Sequence, residues 1–218
     1  VIGPEISAIG DLKLTVGSSD VEGVSIQVSR TFSVPAQLRF DGAADNLDLL
    51  KFQVQLLPSP KGFSGSISVG TVPVPLGKPS DTSGFLQLEG VFPGDYRVGI
   101  VSLQQDGRVA NIPDDTFIKE IRYGGEDVMG RSFTITNPTS QMLEILISRK
   151  AGTLEGTITD EHNAPVGGAY VALIPNDHRG ELARYYFAAA GADGKFRIGR
   201  LAPGEYKAFA SVNPNRDL

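Results

Sequence analysis

The chain has 218 residues, 40% of them hydrophobic, and a net charge of −5, a composition typical of folded globular proteins with room for about two domains. Cysteine is absent, which excludes disulfides and thiolate zinc sites, and no basic cluster marks a nucleic-acid surface. No apolar run reaches the roughly 18 residues of a membrane-spanning helix, and 26 Gly with 14 Pro indicate many tight turns.

The first 30 residues carry two short apolar stretches, Leu12–Val16 and Val24–Ser29, which predict two strands. The start of the chain, Val1-Ile2-Gly3-Pro4, has neither the basic nor the apolar region of a signal peptide. It also lacks an initiating Met, which suggests an excised or processed piece.

Short alternating stretches punctuated by Gly and Pro continue through the rest of the chain and predict strands. Between residues 31 and 149 the predicted strands are Gln37–Asp41, Phe52–Leu57, Gly65–Val69, Leu86–Leu88, Tyr96–Leu103, Phe117–Tyr123, Ser132–Thr136 and Leu143–Ser148. Beyond residue 150 they are Gly152–Asp160, Ala169–Pro175, Arg184–Ala190, Lys195–Ile198 and Tyr206–Val212. Single helical turns are expected only at Asp45–Leu50 and Gly180–Ala183.

One phrase occurs twice, offset by 110 residues from Pro93 to Pro203. Each copy has a Gly at a tight turn, an alternating strand, a Pro-Gly turn and a Tyr that opens the next strand. The residues that define the phrase are Gly84, Leu86, Pro93, Gly94 and Tyr96 in one copy, and Gly194, Phe196, Leu201, Pro203, Gly204 and Tyr206 in the other.

A second match has a similar period. The stretches Leu14–Val16 and Ile26–Arg30 resemble Phe133–Ile135 and Ile145–Arg149, offset by 119 residues from Ile26 to Ile145. A period of this size indicates tandem copies of one module. We therefore predict an all-β fold of tandem antiparallel β-sandwiches. Its parts are the terminal strands of a preceding repeat (1–30), a complete repeat (31–149) and a C-terminally truncated repeat (150–218).

The last repeat carries more specific motifs: Leu154–Asp160, Asn163–Ala169, Val171–Pro175, Asp193–Phe196 and Pro203–Tyr206. Together they resemble the carboxypeptidase regulatory-like domain, a transthyretin-like (prealbumin-like) sandwich. That family is related in shape to collagen-adhesin B-type repeats, which are Ig-like, and to starch-binding-domain-like (carbohydrate-binding-like) folds. The resemblance covers residues 151–212 well and residues 31–149 more loosely. It implies a non-catalytic accessory domain of a bacterial exported protein.

Few residues are candidates for chemistry. His178 and Glu181 have the spacing of a His-x-x-Glu zinc motif, but the chain has only two His, and none follows to complete the ligand set. No Gly-x-Ser-x-Gly stretch or Gly-rich phosphate loop occurs. The acidic pairs Asp114-Asp115 and Glu126-Asp127 could hold calcium, but neither has a spaced set of ligands, so they are expected to serve the turns in which they lie. We therefore predict no catalytic residue, no cofactor and no metal.

The cluster Tyr185-Tyr186-Phe187 is the one aromatic run. By alternation Tyr185 and Phe187 share a strand face and Tyr186 points to the other. One interpretation places one face in the core and leaves the other as ordinary strand surface. The other interpretation makes the exposed rings a stacking platform for sugar, although Trp, the usual platform, is absent.

The leading hypothesis for function is a set of non-enzymatic spacer and interaction modules of an exported or cell-envelope bacterial protein. The expected location is extracellular, periplasmic or outer-membrane-associated. The expected partners are neighbouring repeats, with polysaccharide or envelope protein as further candidates, and no nucleic acid. The alternatives are a carbohydrate-binding module and a peptidase-associated domain of a larger enzyme.

Two structural expectations follow from the repeats. Tyr96, Tyr206, Phe196 and Leu201 are predicted to be largely buried. The last repeat stops before two of its strands and should show an open sheet edge. Residues 1–30 are expected either to pair with, or lie loosely beside, the complete repeat, or to add across molecules to residues 151–218 of another copy.

Overall fold

The computed structural model of the protein describes residues 8–10, 12, 14–42, 49–59, 74–103, 109–136, 140–177 and 184–212. Within these ranges the fold is all-β, with one short 3₁₀ turn at Leu49–Lys51. The strands are β1 Ala8–Ile9, β2 Ser29–Arg30, β3 Phe32–Phe40, β4 Phe52–Pro58, β5 Leu76–Gly77, β6 Phe85–Val91, β7 Gly94–Leu103, β8 Val109–Ala110, β9 Phe117–Tyr123, β10 Glu126–Asp127, β11 Phe133–Ile135, β12 Leu143–Ser148, β13 Gly152–Thr157, β14 Tyr170–Pro175, β15 Tyr186–Ala189, β16 Lys195–Leu201 and β17 Tyr206–Ser211.

Strands β3 to β12 form one sandwich, which we call the N-terminal sandwich (residues 32–148). One layer has the strand order β10-β9-β12-β3-β6 and the other β5-β4-β7-β11, with β8 beside β7. The layers join where Leu76 of β5 pairs with Glu89 of β6. Alternate residues of both layers point inward, because successive side chains of a strand lie on opposite faces. They form one large core that includes Val34, Leu38, Phe52, Leu56, Leu88, Tyr96 and Ile145.

Strand β3 lies in the middle of its layer. It pairs antiparallel with β6 on one side and parallel with β12 on the other. Its inward residues Val34, Ala36 and Leu38 are completely buried. The first and last strands of the N-terminal sandwich are therefore direct neighbours.

Strands β13 to β17 form a smaller body, the C-terminal sandwich (residues 152–211). One layer is the pair β13-β16 and the other is β15-β14-β17. Its core consists of Val171, Leu173, Ile198 and Leu201, with partly buried residues that include Phe196 and Tyr206 packed against it. Within the described residues, β13 pairs with a strand on one side only.

The two sandwiches use the same register at equivalent positions. Val34 pairs with Leu88 and Leu154 pairs with Ile198, and in both pairs of strands the register shifts just before that point. Close to this shift the chain needs a left-handed backbone. Gly90 supplies it in the N-terminal sandwich with φ 74°, whereas Arg200 takes the equivalent place in the C-terminal sandwich with φ 61°.

The Tyr of the repeated phrase closes the same turn in both sandwiches. The Tyr96 hydroxyl donates to the Phe92 carbonyl at 2.8 Å, and the Tyr206 hydroxyl donates to the Ala202 carbonyl at 2.6 Å. Burial raises the pKa of Tyr96 to about 12. Burial, with a contribution from Tyr186, also raises the pKa of Tyr206 to about 12.

Most predicted strands lie where the pattern places them, and Phe117–Tyr123 and Leu143–Ser148 have the predicted bounds. The predicted strand Gly65–Val69 and helical turn Gly180–Ala183 lie outside the described residues. The 3₁₀ turn begins inside the predicted turn Asp45–Leu50, of which residues 45–48 lie outside that range too. The observed β3 begins five residues before the predicted strand, at Phe32.

One prediction was wrong. Apart from Ser29, the described residues of Leu12–Val16 and Val24–Ser29 form no strand, and Ala8–Ile9 pairs instead with Ser29–Arg30 in a separate two-stranded sheet. A strand needs a neighbouring strand, and in the described residues these two stretches have fewer neighbours than their counterparts β11 and β12. Of the four residues expected to be largely buried, Tyr96 and Leu201 are buried, and Phe196 and Tyr206 are partly buried and pack against the core of the C-terminal sandwich.

Candidate interaction surfaces

The three predicted ligand residues lie at and just before β15, and their rings divide between two faces. Tyr186 pairs with Leu173 on the core side, and its ring meets that of Tyr206 edge-on at 6.0 Å. Its hydroxyl accepts a hydrogen bond from the Ala202 backbone N–H at 3.4 Å. Tyr186 is therefore part of the packing between the two layers.

Tyr185 and Phe187 lie together on the outer side, with ring centroids 6.5 Å apart. Phe187 and Phe209 both pair with Ala172, from opposite sides of β14, and they are 62% and 54% exposed. Tyr170, also exposed, follows on the same face of β14 two residues before Ala172. We call Tyr170, Tyr185, Phe187 and Phe209 the aromatic face.

The small side chain of Ala172 makes the aromatic face a shallow trough. Phe187 and Phe209 are two strand spacings apart, roughly 10 Å, with Ala172 as the floor between them. Sequence reasoning missed Phe209 as part of this surface, because residues about 20 positions apart meet only through strand pairing. A contiguous exposed patch of this kind marks an interaction surface more often than scattered single residues do.

The second surface lies where the two sandwiches meet. Only residues 149–151 connect β12 to β13. Across this short connection, the Ala151 backbone N–H donates to the Asp115 carbonyl at 3.2 Å. The Arg200 backbone N–H donates to the Asp114 carbonyl at 3.0 Å. The first bond ties the connection, and the second ties the C-terminal sandwich, to the turn that precedes β9.

Charged side chains add to this contact. The guanidinium group of Arg197 lies 3.6 Å from the Asp114 carboxylate, and that of Arg200 reaches the Ile112 carbonyl at 3.5 Å. Gly199 fits closely, since a Cβ there would stand 2.9 Å from the Asp114 carboxyl carbon. We call Ile112, Asp114, Asp115, Ala151, Arg197 and Arg200 the junction.

Two more Arg–Asp pairs flank the junction. Arg149 lies 2.9 Å from Asp115, and this contact holds the pKa of Asp115 below its usual range. Arg184 of the C-terminal sandwich lies 3.8 Å from Asp127 of the N-terminal one, and its side chain is 19% exposed. Beside them a cleft of about 410 Å³ separates Ile118, Lys119 and Met129 from Tyr186, Pro203 and Glu205.

Several of the described acidic side chains take part in turns and ion pairs. Asp160 accepts hydrogen bonds from the backbone N–H groups of His162 and Ala164, as expected of an acidic residue in a turn. Within the described ranges, no group of three or more His, Cys, Asp or Glu is placed to bind a metal. His178 and Glu181 lie outside those ranges. The described helices include none that is long and apolar enough to cross a membrane.

No protein-family model matches the chain. No curated protein matches it either. The resemblance to carboxypeptidase regulatory-like domains therefore rests on its residue motifs alone.

Among solved structures, the chain is similar to a streptococcal ancillary pilin, with 13% identity and a TM-score of 0.29 over 86% of this chain and 56% of the pilin. It is also similar to the Bacillus anthracis TIE protein, with 16% identity and a TM-score of 0.27 over 88% and 31%. A shaft pilin of Lactobacillus rhamnosus GG matches with 15% identity and a TM-score of 0.27 over 86% and 89%. The chain thus spans about half of the first protein and a third of the second. Scores this low carry no information on activity, ligand or partner.

Proposed function

We propose that the chain is a non-catalytic spacer of an exported or cell-envelope bacterial protein, in which the two sandwiches are held in one fixed mutual orientation. The observation that carries this proposal is the junction. A connection of three residues and hydrogen bonds from both backbone and side chain leave little freedom between the two bodies. A spacer needs this property, because its length and direction set where its ends lie.

Arg200 is the clearest sign that the contact between the sandwiches matters. A non-glycine residue in the left-handed region costs roughly 1 kcal/mol, and the N-terminal sandwich avoids that cost with Gly90. The Arg200 side chain reaches the Ile112 carbonyl at 3.5 Å, and its backbone N–H donates to the Asp114 carbonyl at 3.0 Å. Strain of this kind persists where surrounding contacts fix the residue.

The orientation is testable by NMR relaxation on the 218-residue chain. We expect one common rotational correlation time for both sandwiches. The double variant Asp114→Ala with Arg200→Gly removes two side-chain contacts of the junction and relieves the strain, so the sandwiches should then tumble with different, shorter correlation times. Arg122→Ala is the matched control, since its ion pair with Glu120 lies on one sheet of the N-terminal sandwich. Independent tumbling of the unmodified chain would contradict the proposal.

A second candidate function is carbohydrate binding at the aromatic face. The specific observation in its favour is the pair of exposed rings, Phe187 and Phe209, across Ala172. Flat exposed rings stack on the apolar faces of sugars and of other planar groups.

Isothermal titration against a panel of soluble polysaccharides tests this second candidate. We expect measurable heat of binding that the double variant Phe187→Ala with Phe209→Ala abolishes while the melting temperature stays unchanged. Leu76→Ala, an exposed apolar residue of the N-terminal sandwich, is the control and should leave binding intact. If no polysaccharide of the panel gives a heat of binding, the chain does not bind carbohydrate at this face, and the spacer proposal is unaffected.

A further inference from the structure

The aromatic face is built in rows that run across β15, β14 and β17. In the middle row, Phe187 and Phe209 both pair with Ala172, one from each side of β14, and both rings are more than half exposed. Tyr170 lies on the row to one side, and Lys207 lies on the row to the other side, on the same face as Phe209. The middle row is therefore a trough with an aromatic ring at each end, an alanine floor and polar groups on both flanks.

The N-terminal sandwich shows what the fold itself requires at this row. The Tyr of the repeated phrase pairs with a Pro in both sandwiches. At the same distance from that pair, the row of the N-terminal sandwich consists of Leu76, Gln55 and Gly99. Leu76 is 49% exposed, so this row faces outward in both sandwiches. It has no ring, and a long polar side chain takes the place of Ala172, so the fold does not need the exposed rings.

The size of the aromatic face limits what can cover it. Three strands and three rows cover on the order of 200 Å². A stable contact between two protein chains buries about 800 Å² on each of them. The face is thus too small for a stable dimer, and it fits a narrow ligand that lies in the trough.

Stacking on flat apolar groups is the chemistry that the two rings offer. The rings stand on strands roughly 10 Å apart. In an extended β-linked sugar chain, each sugar is turned over relative to the one before, so the same ring face returns at every second sugar, at about this spacing. An α-linked helical chain curves away from a straight row. Single-stranded nucleic acid also stacks on rings, but it needs a groove of cations, and Lys207 is the only cation of these three rows.

We propose that the aromatic face binds an extended β-linked polysaccharide that crosses the strands along Phe187, Ala172 and Phe209. This inference rests on the carbohydrate-binding candidate above and names its ligand class. Phe187 and Phe209 stack on two sugars that have one sugar between them, and the middle sugar lies over Ala172. Tyr170 and Lys207 offer hydrogen bonds to the hydroxyl groups along the two edges of the sugar chain.

Isothermal titration with linear glucose oligomers of rising length tests the ligand class. We expect the association constant to rise about tenfold or more from the β-linked disaccharide to the β-linked trisaccharide, because only the trisaccharide reaches both rings. Longer β-linked oligomers should add less. The α-linked oligomers of the same lengths are the matched controls and should show no such step.

Variants of the middle row test where the sugar chain lies. Ala172→Gln gives the floor the residue of the N-terminal sandwich and should abolish the step between two and three sugars. Phe187→Leu should abolish it as well, whereas Phe187→Tyr keeps a ring and should retain it. Gln55→Ala is the matched control, since it opens the corresponding floor in the N-terminal sandwich, where no ring flanks it.

The possible outcomes separate this inference from carbohydrate binding in general. Polysaccharide binding without the step between two and three sugars, or with a preference for α-linked oligomers, would overturn the inference and leave carbohydrate binding in place. No binding of any sugar would overturn both. Association between copies that Ala172→Gln removes, measured by sedimentation, would show instead that a second copy covers the face.

Discussion

At the scale of single residues, Tyr96 shows how the repeated phrase stabilises the fold. Its ring is buried, it meets Phe92 edge-on at 5.6 Å, and its hydroxyl is bound to the Phe92 carbonyl. Ionisation would place a charge in that core, which is why its pKa lies near 12 instead of about 10. The neutral phenol is therefore the form that the folded state favours.

The raised pKa of Tyr96 predicts a loss of stability in alkali. A group whose folded pKa is raised contributes its full stability below pH 10, and that contribution is lost as the pH rises to 12. The rise of the pKa from 10 to about 12 corresponds to about 3 kcal/mol of stability, which is the amount lost in alkali. Tyr96→Phe should cost about 1 kcal/mol at neutral pH through the lost hydrogen bond.

Denaturant unfolding between pH 9 and 11.5 measures both effects. The stability of Tyr96→Phe should decline less steeply with pH than that of the unmodified chain. The matched control is Tyr170→Phe, because Tyr170 is exposed and lies outside the core. Identical pH slopes for the unmodified chain and Tyr96→Phe would show that Tyr96 is not responsible.

At the scale of strand pairs, the two sandwiches fill the same space in different ways. Ala36 pairs with Leu86 in the N-terminal sandwich, and Gly156 pairs with Phe196 in the C-terminal one. A Cβ at Gly156 would stand 2.8 Å from the Phe196 ring. The larger ring is thus accommodated by the loss of a methyl group on the neighbouring strand.

This exchange predicts a coupling between positions 156 and 196. Gly156→Ala alone should destabilise the C-terminal sandwich by about 1–3 kcal/mol, because the new methyl group meets the ring. Phe196→Leu alone should cost about 1 kcal/mol in lost apolar burial. The double variant restores the Ala–Leu pair of the other sandwich and should cost less than the sum of the two.

A double-mutant cycle by thermal unfolding gives the coupling energy, which we expect to be about 1 kcal/mol or more. Ala36→Gly with Leu86→Phe is the reciprocal control in the N-terminal sandwich and should show coupling of the same sign. Strict additivity at positions 156 and 196 would mean that the ring moves away from Gly156 at little cost.

The sequence pattern predicted these strands better than it predicted their surroundings. Alternation and turn residues mark Phe117–Tyr123 and Leu143–Ser148 to the residue, because such signals are local. The partial burial of Phe196 and Tyr206 depends on which strands lie beside β13 and β17, which is a property of the whole sheet. The same limit explains why Val24–Ser29, with a strand-like sequence, forms almost no strand.

At the scale of the whole molecule, the candidate surfaces were only partly predictable. Alternation correctly separated Tyr186 from Tyr185 and Phe187, but it could not bring in Phe209, which joins them through β14. No sequence motif predicted the contacts that make up the junction. In the sequence, Arg200 has the pattern of an ordinary strand residue. Only the structure shows its left-handed backbone and its contact with Ile112.

The parallel pairing of β3 with β12 has a mechanical consequence. The chain enters the N-terminal sandwich at the start of β3 and leaves it at the end of β12, so its entry and exit lie at opposite ends of one ladder of five residue pairs. Tension along the chain therefore loads those hydrogen bonds together, in shear, instead of opening them one at a time. The described strand pairs of the C-terminal sandwich are all antiparallel and offer no such ladder. We therefore expect the N-terminal sandwich to resist tension along the chain, because β3 and β12 separate only when all five residue pairs break together.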